Sequence, residues 1–494
     1  MLHVEAMREE RETVLIGLDV GTSSLKAVAY DVAGHPLYSV HEPLEVISYP
    51  GYEDWFEQDA REIYSASMRA LQNIINHVKS ERYLLGLSST SPGLLLLDAD
   101  GEPIRHAILW MDRRAVAEAK LISDKLGTNH VYERTGLHVD AIFTAAKLLW
   151  VKSNAPQIFQ KTRYIVQLKD FLFYKLTGET LTDYSHISET LFYTLDGKFF
   201  DELLELVEID EEKFFKPEKS TAVYPMKEDT ARDLGIKEAF IALGGVDSAC
   251  ATLGSGGIAP DVVIDTTGTS TCLDITAEYP VIDPQGRFET YWHVIPGKYI
   301  LEACTPTSGG AIRKALQLIG DEEGNPDKYI TSLEPSGLIV LPFLSGSRSP
   351  DWIPQLRGVI HGVSLLTDRR DIIKGFMEGI AYWERYILDE FGKLGFSFKE
   401  VRLVGGGGTR NWAAIKANVT GRKFAIMVEK EASALGAALL AGIGGGVYKD
   451  LDDILNVIHV ESYINPSREL VRRYDELYEA YMALWLAIKN INTK

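Results

Sequence analysis

Cysteine is nearly absent: the 494 residues hold three, Cys250, Cys272 and Cys304, with no C-x-x-C pair among them. So few thiols argue against a disulfide framework or a thiolate zinc site, and a reducing cytoplasm is the expected home. Basic residues are short too, 51 Lys and Arg against 70 Asp and Glu, for a net charge of −19. That balance speaks against a nucleic-acid or anionic-membrane partner, since both need Lys/Arg surfaces. No long apolar run occurs. The longest uncharged stretch, 432–448, is short and rich in glycine, so no bilayer span is expected. Residues 1–13 mix charges of both signs and lack the apolar stretch of a signal peptide. G-x-x-x-x-G-K-[ST], H-E-x-x-H and G-x-S-x-G are all missing, which removes the main support for P-loop, zincin and α/β-hydrolase readings.

What is present is an ordinary globular composition, 46% apolar and 24% charged, in a chain too long for one core. Two domains are expected, with no low-complexity linker between them. Apolar runs at 14–19 and 25–31 read as strands joined by a tight turn, and a third strand at 37–40 completes a meander. Asp59 reads as a helix cap with Glu62 reaching back to it. Residues 115–233 read as mostly helical, and a second strand-rich stretch starts near Ile241. Helices are expected near 309–319, 368–394 and 467–490. Alternating strands and helices point to an α/β architecture.

The most informative feature is an internal echo. GLDVGTSS (17–24) and IDTTGTST (264–271) each end a strand with Asp and turn through Gly-Thr-Ser. Glycine lets successive backbone N–H groups point one way, and small hydroxyls add donors, so each turn can cradle an anion. Two such turns, one per half, suit two jaws on one phosphate chain. Asp19 ends the first strand in that turn. A carboxylate beside phosphates calls for an intervening cation, and Mg²⁺ accepts one or two carboxylates, against the alternative of an Asx turn. In LGGVDSACATLG (243–254) the carboxylate of Asp247 follows a strand and precedes a small-residue helix. That position suits a general base for an alcohol, the alternative being a helix cap. VGGGGTRNW (404–412) offers a flat glycine surface for a ring such as adenine. WMDRR (110–114) sets an aromatic face, a carboxylate and a guanidinium together, as a polyhydroxy ligand requires, or else forms a salt-bridged helix start.

These pieces, in this order, resemble the FGGY carbohydrate kinases of the actin/hexokinase/Hsp70 superfamily. TAAKLLW (144–150), LPFLSGSRSP (341–350) with RGVIHG (357–362), and EASALGAA (431–438) resemble further signatures of that family, which together cover 14–446. The resemblance implies two ribonuclease-H-like, actin-like ATPase domains flanking a deep cleft, 1–253 binding sugar and 254–494 binding ATP. It implies phosphate contacts from Gly21, Thr22, Ser23 and Lys26 on the first hairpin, and from Gly268, Thr269 and Ser270 on the second, with Gly310 nearby. Gly406, Gly407 and Asn411 would flank the adenosine. Asp19 would stand on the Mg²⁺ side. Thr90, Ser91, Trp110, Asp112 and Arg113 would meet the sugar, with Asp247 as catalytic base. Within the family the chain looks most like xylulose kinases, although Ser91 and Pro92 replace the Met and His that those enzymes present to the sugar.

The expected activity is therefore ATP-dependent phosphorylation of a sugar or polyol, with D-xylulose first and ribulose, gluconate, erythritol or glycerol as alternatives. An actin- or Hsp70-like ATPase is the alternative of another class. A sugar sensor on the same fold is a third, expected to need a helix-turn-helix for which the residues before Val14 leave no room. A homodimer is the default oligomer.

Overall fold

The computed structural model of the protein describes residues 13–322, 324–406 and 409–492. The N-terminal half is organised by a six-stranded sheet. Its meander is β1 (Thr13–Val20), β2 (Ser24–Tyr30) and β3 (Pro36–Pro43), continued by β4 (Arg82–Ser89), β5 (Val223–Pro225) and β6 (Glu238–Val246) in the order β5-β6-β4-β1-β2-β3. β1 pairs antiparallel with β2 and parallel with β4, so β1 is central. Its side chains are buried almost throughout, as the run VLIGL demands. The helix α1 (Ala60–His77) covers one face with its apolar stripe of Ile63, Leu71, Ile74 and Ile75. Asp59 caps it by accepting from the Arg61 amide, as expected. Glu62 does not reach back; it pairs outward with Arg69 at 2.9 Å.

The C-terminal half repeats the plan. β7 (Val262–Thr267) and β8 (Thr271–Ala277) form the second hairpin, joined by β9 (Glu289–Trp292), β10 (Tyr299–Thr305), β11 (Glu400–Val404), β12 (Phe424–Met427) and β13 (Val460–Ile464). The order is β9-β10-β8-β7-β11-β12-β13. β7 pairs antiparallel with β8 and parallel with β11, which duplicates the roles of β1, β2 and β4. The chain thus forms two ribonuclease-H-like sheets with helices packed on them, the fold implied by the family resemblance. Long amphipathic helices close the second core. Asp368 caps Arg369–Lys393 through a reciprocal capping box with Asp371, and Arg468–Asn492 packs Tyr474, Tyr481 and Trp485 fully inside.

The halves are joined by more than the chain crossing between them. The helix Ala432–Gly444, made almost entirely of small and apolar residues, leaves the second half and lies against β1 and β4 of the first. It also packs on Asp247–Gly254, the helix that follows β6. Contact is at backbone distance. A Cβ on Gly17 or Gly86 would stand 1.8 Å from the carbonyl oxygen of Ala434 or Ala437 respectively, so only glycine fits at either place. Among the described residues no helix is long and apolar enough to cross a membrane.

One expectation about the thiols fails. β8 and β10 place Cys272 opposite Cys304, and the two form a disulfide across 32 residues of chain, leaving Cys250 as a free, buried thiol. Counting cysteines could not anticipate this, because the pairing is set by strand register and not by spacing along the chain.

Candidate active site

Both hairpins reach the cleft with their tips exposed. In the first, the Gly21 amide donates to the Ser24 carbonyl at 3.0 Å, and Thr22, Ser23 and Lys26 follow on the turn and β2. In the second, the Gly268 amide donates to the Ser270 carbonyl at 2.8 Å, and Gly268, Thr269 and Ser270 are all exposed. The second hairpin is clamped from behind. Amides of Ser308, Gly309 and Gly310, at the start of the helix Gly309–Leu318, donate to the carbonyls of Gly268 and Thr269. The Gly310 amide is therefore spent on holding the loop. The Arg313 guanidinium, one turn along, donates to the Thr269 hydroxyl at 2.7 Å and brings a cation to the hairpin. Sequence reading missed it. Its spacing from Gly309 and Gly310 on a helix was the available signal.

The two Asp residues of the echo have different fates. Asp265, on β7, is fully buried and held by the Lys416 ammonium at 2.6 Å, which also meets Glu384 at 2.8 Å. That triad is a support beneath the hairpin. Asp19, near the end of β1, accepts from the Ser88 hydroxyl at 2.8 Å. Desolvation raises its pKa, with Glu431 adding to the rise while Ser88 and Lys26 oppose it. Lys26 itself is engaged by Glu431 in an ion pair.

Asp247 is the first residue of its helix, not the cap, and its Oδ1 accepts from the Ser248 amide at 2.8 Å. The Ser433 hydroxyl donates to its carbonyl at 3.1 Å and ties it to the helix Ala432–Gly444. Burial pushes the carboxyl up to about 8, and the charges of Asp19 and Glu302 add to the rise. A carboxyl poised near neutrality is suited to general-base work.

A cavity of about 330 Å³ opens beside Asp247 between the halves. Thr22, Thr90, Ser91, Trp110 and Asp247 line it from the first half, and Ser270 with Cys272 and Cys304 from the second. The Trp110 indole N–H donates to the Thr22 hydroxyl at 3.0 Å, so the aromatic side chain joins cavity and hairpin. Asp112 and Arg113 do not line it. Asp112 is fully buried, bound by Arg114 at 2.7 Å and by the Phe56 amide at 2.7 Å. Arg114 stacks on Trp55 and Trp150 and also meets Glu57 at 2.7 Å. Asp112, expected at the sugar, is placed beneath the Trp110 segment as the buried partner of Arg114. Arg113 pairs with Asp140 at 3.0 Å.

Glu189, Glu289, Tyr291 and Glu302 also line the cavity and were invisible to motif reading, while Arg348 falls within the stretch LPFLSGSRSP (341–350) without having been singled out. Arg348 Nη2 donates to Glu289 Oε2 at 2.6 Å, and the Tyr291 hydroxyl donates to Glu302 at 3.2 Å. Burial lifts Glu302 to about 7. Glu289 and Tyr291 share β9 and Glu302 lies opposite on β10, while Glu189 comes from the end of a helix in the first half and Arg348 from a loop. On the nucleotide side, β11 leads into the glycine turn, where Gly406 is exposed and Asn411 lies in the first turn of the helix Arg410–Thr420. Gly407 lies outside the described residues.

A cleft between duplicated sheets, with a Gly-Thr-Ser hairpin from each and carboxylates between, defines a two-domain phosphotransferase of the actin-like architecture. Residues 14–254 match the N-terminal domain of the FGGY family of carbohydrate kinases, and residues 265–445 match its C-terminal domain. The chain belongs to that family and is an ATP-dependent carbohydrate kinase. It is 29% identical to a glycerol kinase of Thermococcus kodakarensis over 485 residues, 95% of this chain and 96% of that one. It is 26% identical to a xylulose kinase of Staphylococcus epidermidis over 497 residues, 97% of each chain. Among solved structures, a kinase from Brucella ovis described as a xyloylose kinase superposes with a TM-score of 0.90 at 27% identity, over 97% of this chain and 100% of that one. A gluconate kinase from Lactobacillus acidophilus shares the fold at a TM-score of 0.91 and 24% identity, over 97% of this chain and 99% of that one.

Proposed function

We propose that the chain transfers the γ-phosphoryl group of ATP to a hydroxyl of a ketopentose such as D-xylulose, in one in-line step with Asp247 as general base. The observation that carries this reading is the placement of Asp247, whose carboxyl is lifted to about 8 and lines the cavity between the two hairpins. The acceptor hydroxyl gives its proton to Asp247 as its oxygen attacks phosphorus, and the bond to the ADP oxygen breaks. Thr22, Ser23, Thr269 and Ser270 present hydroxyls and amides to the phosphate chain, and Arg313 adds a cation from the second half. Asp19 fits Mg²⁺, being a hard oxygen donor with one oxygen fixed by Ser88 and no lysine or arginine in direct contact among the described residues. When bound, Mg²⁺ supplies positive charge to the phosphate oxygens.

The test is ADP release across xylulose, ribulose, erythritol, glycerol and gluconate. Acceptor-dependent release that peaks with a pentulose supports the reading. Equal release with and without every acceptor would place the chain with the ATPases that share this fold.

A further inference from the structure

The wall that the second sheet gives to the cavity carries sulfur as well as carboxylate. Residues two apart on a strand share a face, and directly opposed residues of paired strands share it too. Cys272 and Asp274 on β8 therefore stand beside Cys304 and Glu302 on β10, Cys272 opposite Cys304 and Asp274 opposite Glu302. Three of the four line the cavity: Cys272, Glu302 and Cys304. One Sγ or carboxylate oxygen from each of these lies within 4.8 Å of the others. Cys304 is buried while Cys272 and Glu302 are half-buried, so Cys272 is the sulfur that a solute in the cavity meets first.

As a disulfide the two sulfurs carry no charge for a cation. Reduction changes that. A dithiol attacks one sulfur, its second thiol completes the exchange, and it departs as a cyclic disulfide, leaving two electrons and two protons on the protein as two thiols. Sheet register already holds those thiols side by side. Two thiolates and a carboxylate with an open fourth position suit Zn²⁺, whose tetrahedron at ordinary zinc–sulfur lengths has edges of about 3.8 Å. Mg²⁺ demands an octahedron of oxygens and is not served by this set. Zn²⁺ displaces both thiol protons and the proton that burial holds on Glu302 up to about 7. The Tyr291 hydroxyl donates to Glu302 Oε2 at 3.2 Å and orients the carboxylate. Among the described lining residues the single cation is Arg348, which donates to Glu289 at 2.6 Å and whose charge also acts on Glu302. Three anionic ligands outweigh it.

We propose that Cys272, Cys304 and Glu302 form a redox-gated metal site: once a dithiol has reduced the disulfide, they bind one Zn²⁺ in the cavity and block the acceptor, and the disulfide form binds none. The metal site stands whatever the enzyme phosphorylates; the block rests on the reading of this cavity as the acceptor site. Asp247 lines the same space of about 330 Å³, so a hydrated ion on the facing wall occupies room the acceptor needs. Cys250, free and buried, does not line the cavity and takes no part.

The experiment compares the full chain oxidised and after reduction with dithiothreitol and desalting without oxygen. Zn²⁺ is titrated by calorimetry, and Co²⁺ by absorbance, since a cobalt–thiolate band reports sulfur ligands directly. Reduced wild type is expected to bind one Zn²⁺ at least about 100-fold more tightly than the oxidised protein and to develop that band. Cys304→Ser, treated alike, should lose at least about 100-fold in affinity, and Glu302→Gln about tenfold with the band retained. A thermal melt checks that each is folded. Reduced wild type that binds Zn²⁺ no better than the oxidised protein, or that shows no thiolate band, overturns the site without appeal to any variant. One equivalent of Zn²⁺ should also lower acceptor-dependent ADP release at least about tenfold in the reduced enzyme and leave the oxidised enzyme unchanged. Zinc bound with the thiolate band and full turnover retained overturns the block. The metal titrations need no turnover, so absence of acceptor-dependent ADP release in both redox states would count against the kinase reading alone.

Discussion

Asp19, next to the last residue of β1, and Asp247, directly after β6 of the same sheet, lie near enough for the charge on Asp19 to help hold the proton on Asp247. Neither has a lysine or arginine bound to it in the described structure, although Lys26 lowers the pKa of Asp19 from a distance. Two like charges in a partly buried cleft are unfavourable until a cation and a substrate arrive. The arrangement is costly to the free protein and useful to the reaction.

The first consequence is a pH profile. With Asp247 lifted to about 8 by burial, by Asp19 and by Glu302, its proton must leave before it can accept another. In the free enzyme kcat/KM for the acceptor should climb about tenfold per pH unit on the acid side and level off near pH 8. Saturating Mg²⁺ and ATP should draw this limb to lower pH, because a cation beside Asp19 removes part of the repulsion. A profile flat from pH 6 to 9 would remove Asp247 from the role of base.

Asp247→Asn separates catalysis from stability. Turnover should fall about 10²–10⁴-fold while calorimetry still detects ATP binding. The variant should also melt higher than the wild type at alkaline pH. A carboxyl whose pKa is raised on folding favours the native state only while protonated. Its contribution is lost as pH rises from the unfolded value, near 4, to the folded value of about 8. The Tm advantage of Asn should therefore grow across that window and be constant above it. A constant difference from pH 5 to 9 would mean that Asp247 is not protonated in the fold.

Nucleotide binding should depend on Mg²⁺ far more than on lysine. The chain carries a net charge of −19, and Lys26 is engaged by Glu431. Removing Mg²⁺ with chelator should weaken ATP binding at least about tenfold by calorimetry, and Asp19→Asn should reproduce much of that loss in the presence of Mg²⁺. Tight ATP binding in chelator would contradict the role given to Asp19.

The parts of this site that could be read from the sequence were those written as contiguous strings. The strand–Gly-Thr-Ser–strand pattern names both hairpins, because turn chemistry is local and glycine is its marker. Asp247 was legible for the same reason, sitting between a strand and a run of small residues. Glu189 and Glu302 were not legible, since their shared cavity exists only once two sheets face each other, and Arg348, although inside a quoted stretch, carried no sign of its place there. The Cys272–Cys304 pair failed in the same way: it is a cross-strand relation, and spacing carries no information about register. Asp112 shows the limit of local strings, because a carboxylate next to Trp and Arg looks the same in sequence whether it meets a ligand or pairs with Arg114.

The contact between the halves gives the last prediction. Gly86 lies on β4 with the Ala437 carbonyl where its Cβ would be, at 1.8 Å, and neither backbone can yield without moving the other. Gly86→Ala should cost about 1–3 kcal/mol or more in denaturant unfolding, the range of overpacked cores. Gly392→Ala is the control. It lies within the helix Arg369–Lys393 with nothing near its would-be Cβ, and should be neutral or stabilising by about 0.5–1 kcal/mol. The damage at Gly86 should reach catalysis as well. The helix it displaces carries Ser433, whose hydroxyl holds the Asp247 carbonyl at 3.1 Å, and begins beside Glu431, the partner of Lys26. A shift of that helix moves the base relative to the first hairpin, so kcat should fall in the fraction that remains folded. Full kcat in folded Gly86→Ala would mean that Asp247 is positioned by β6 alone.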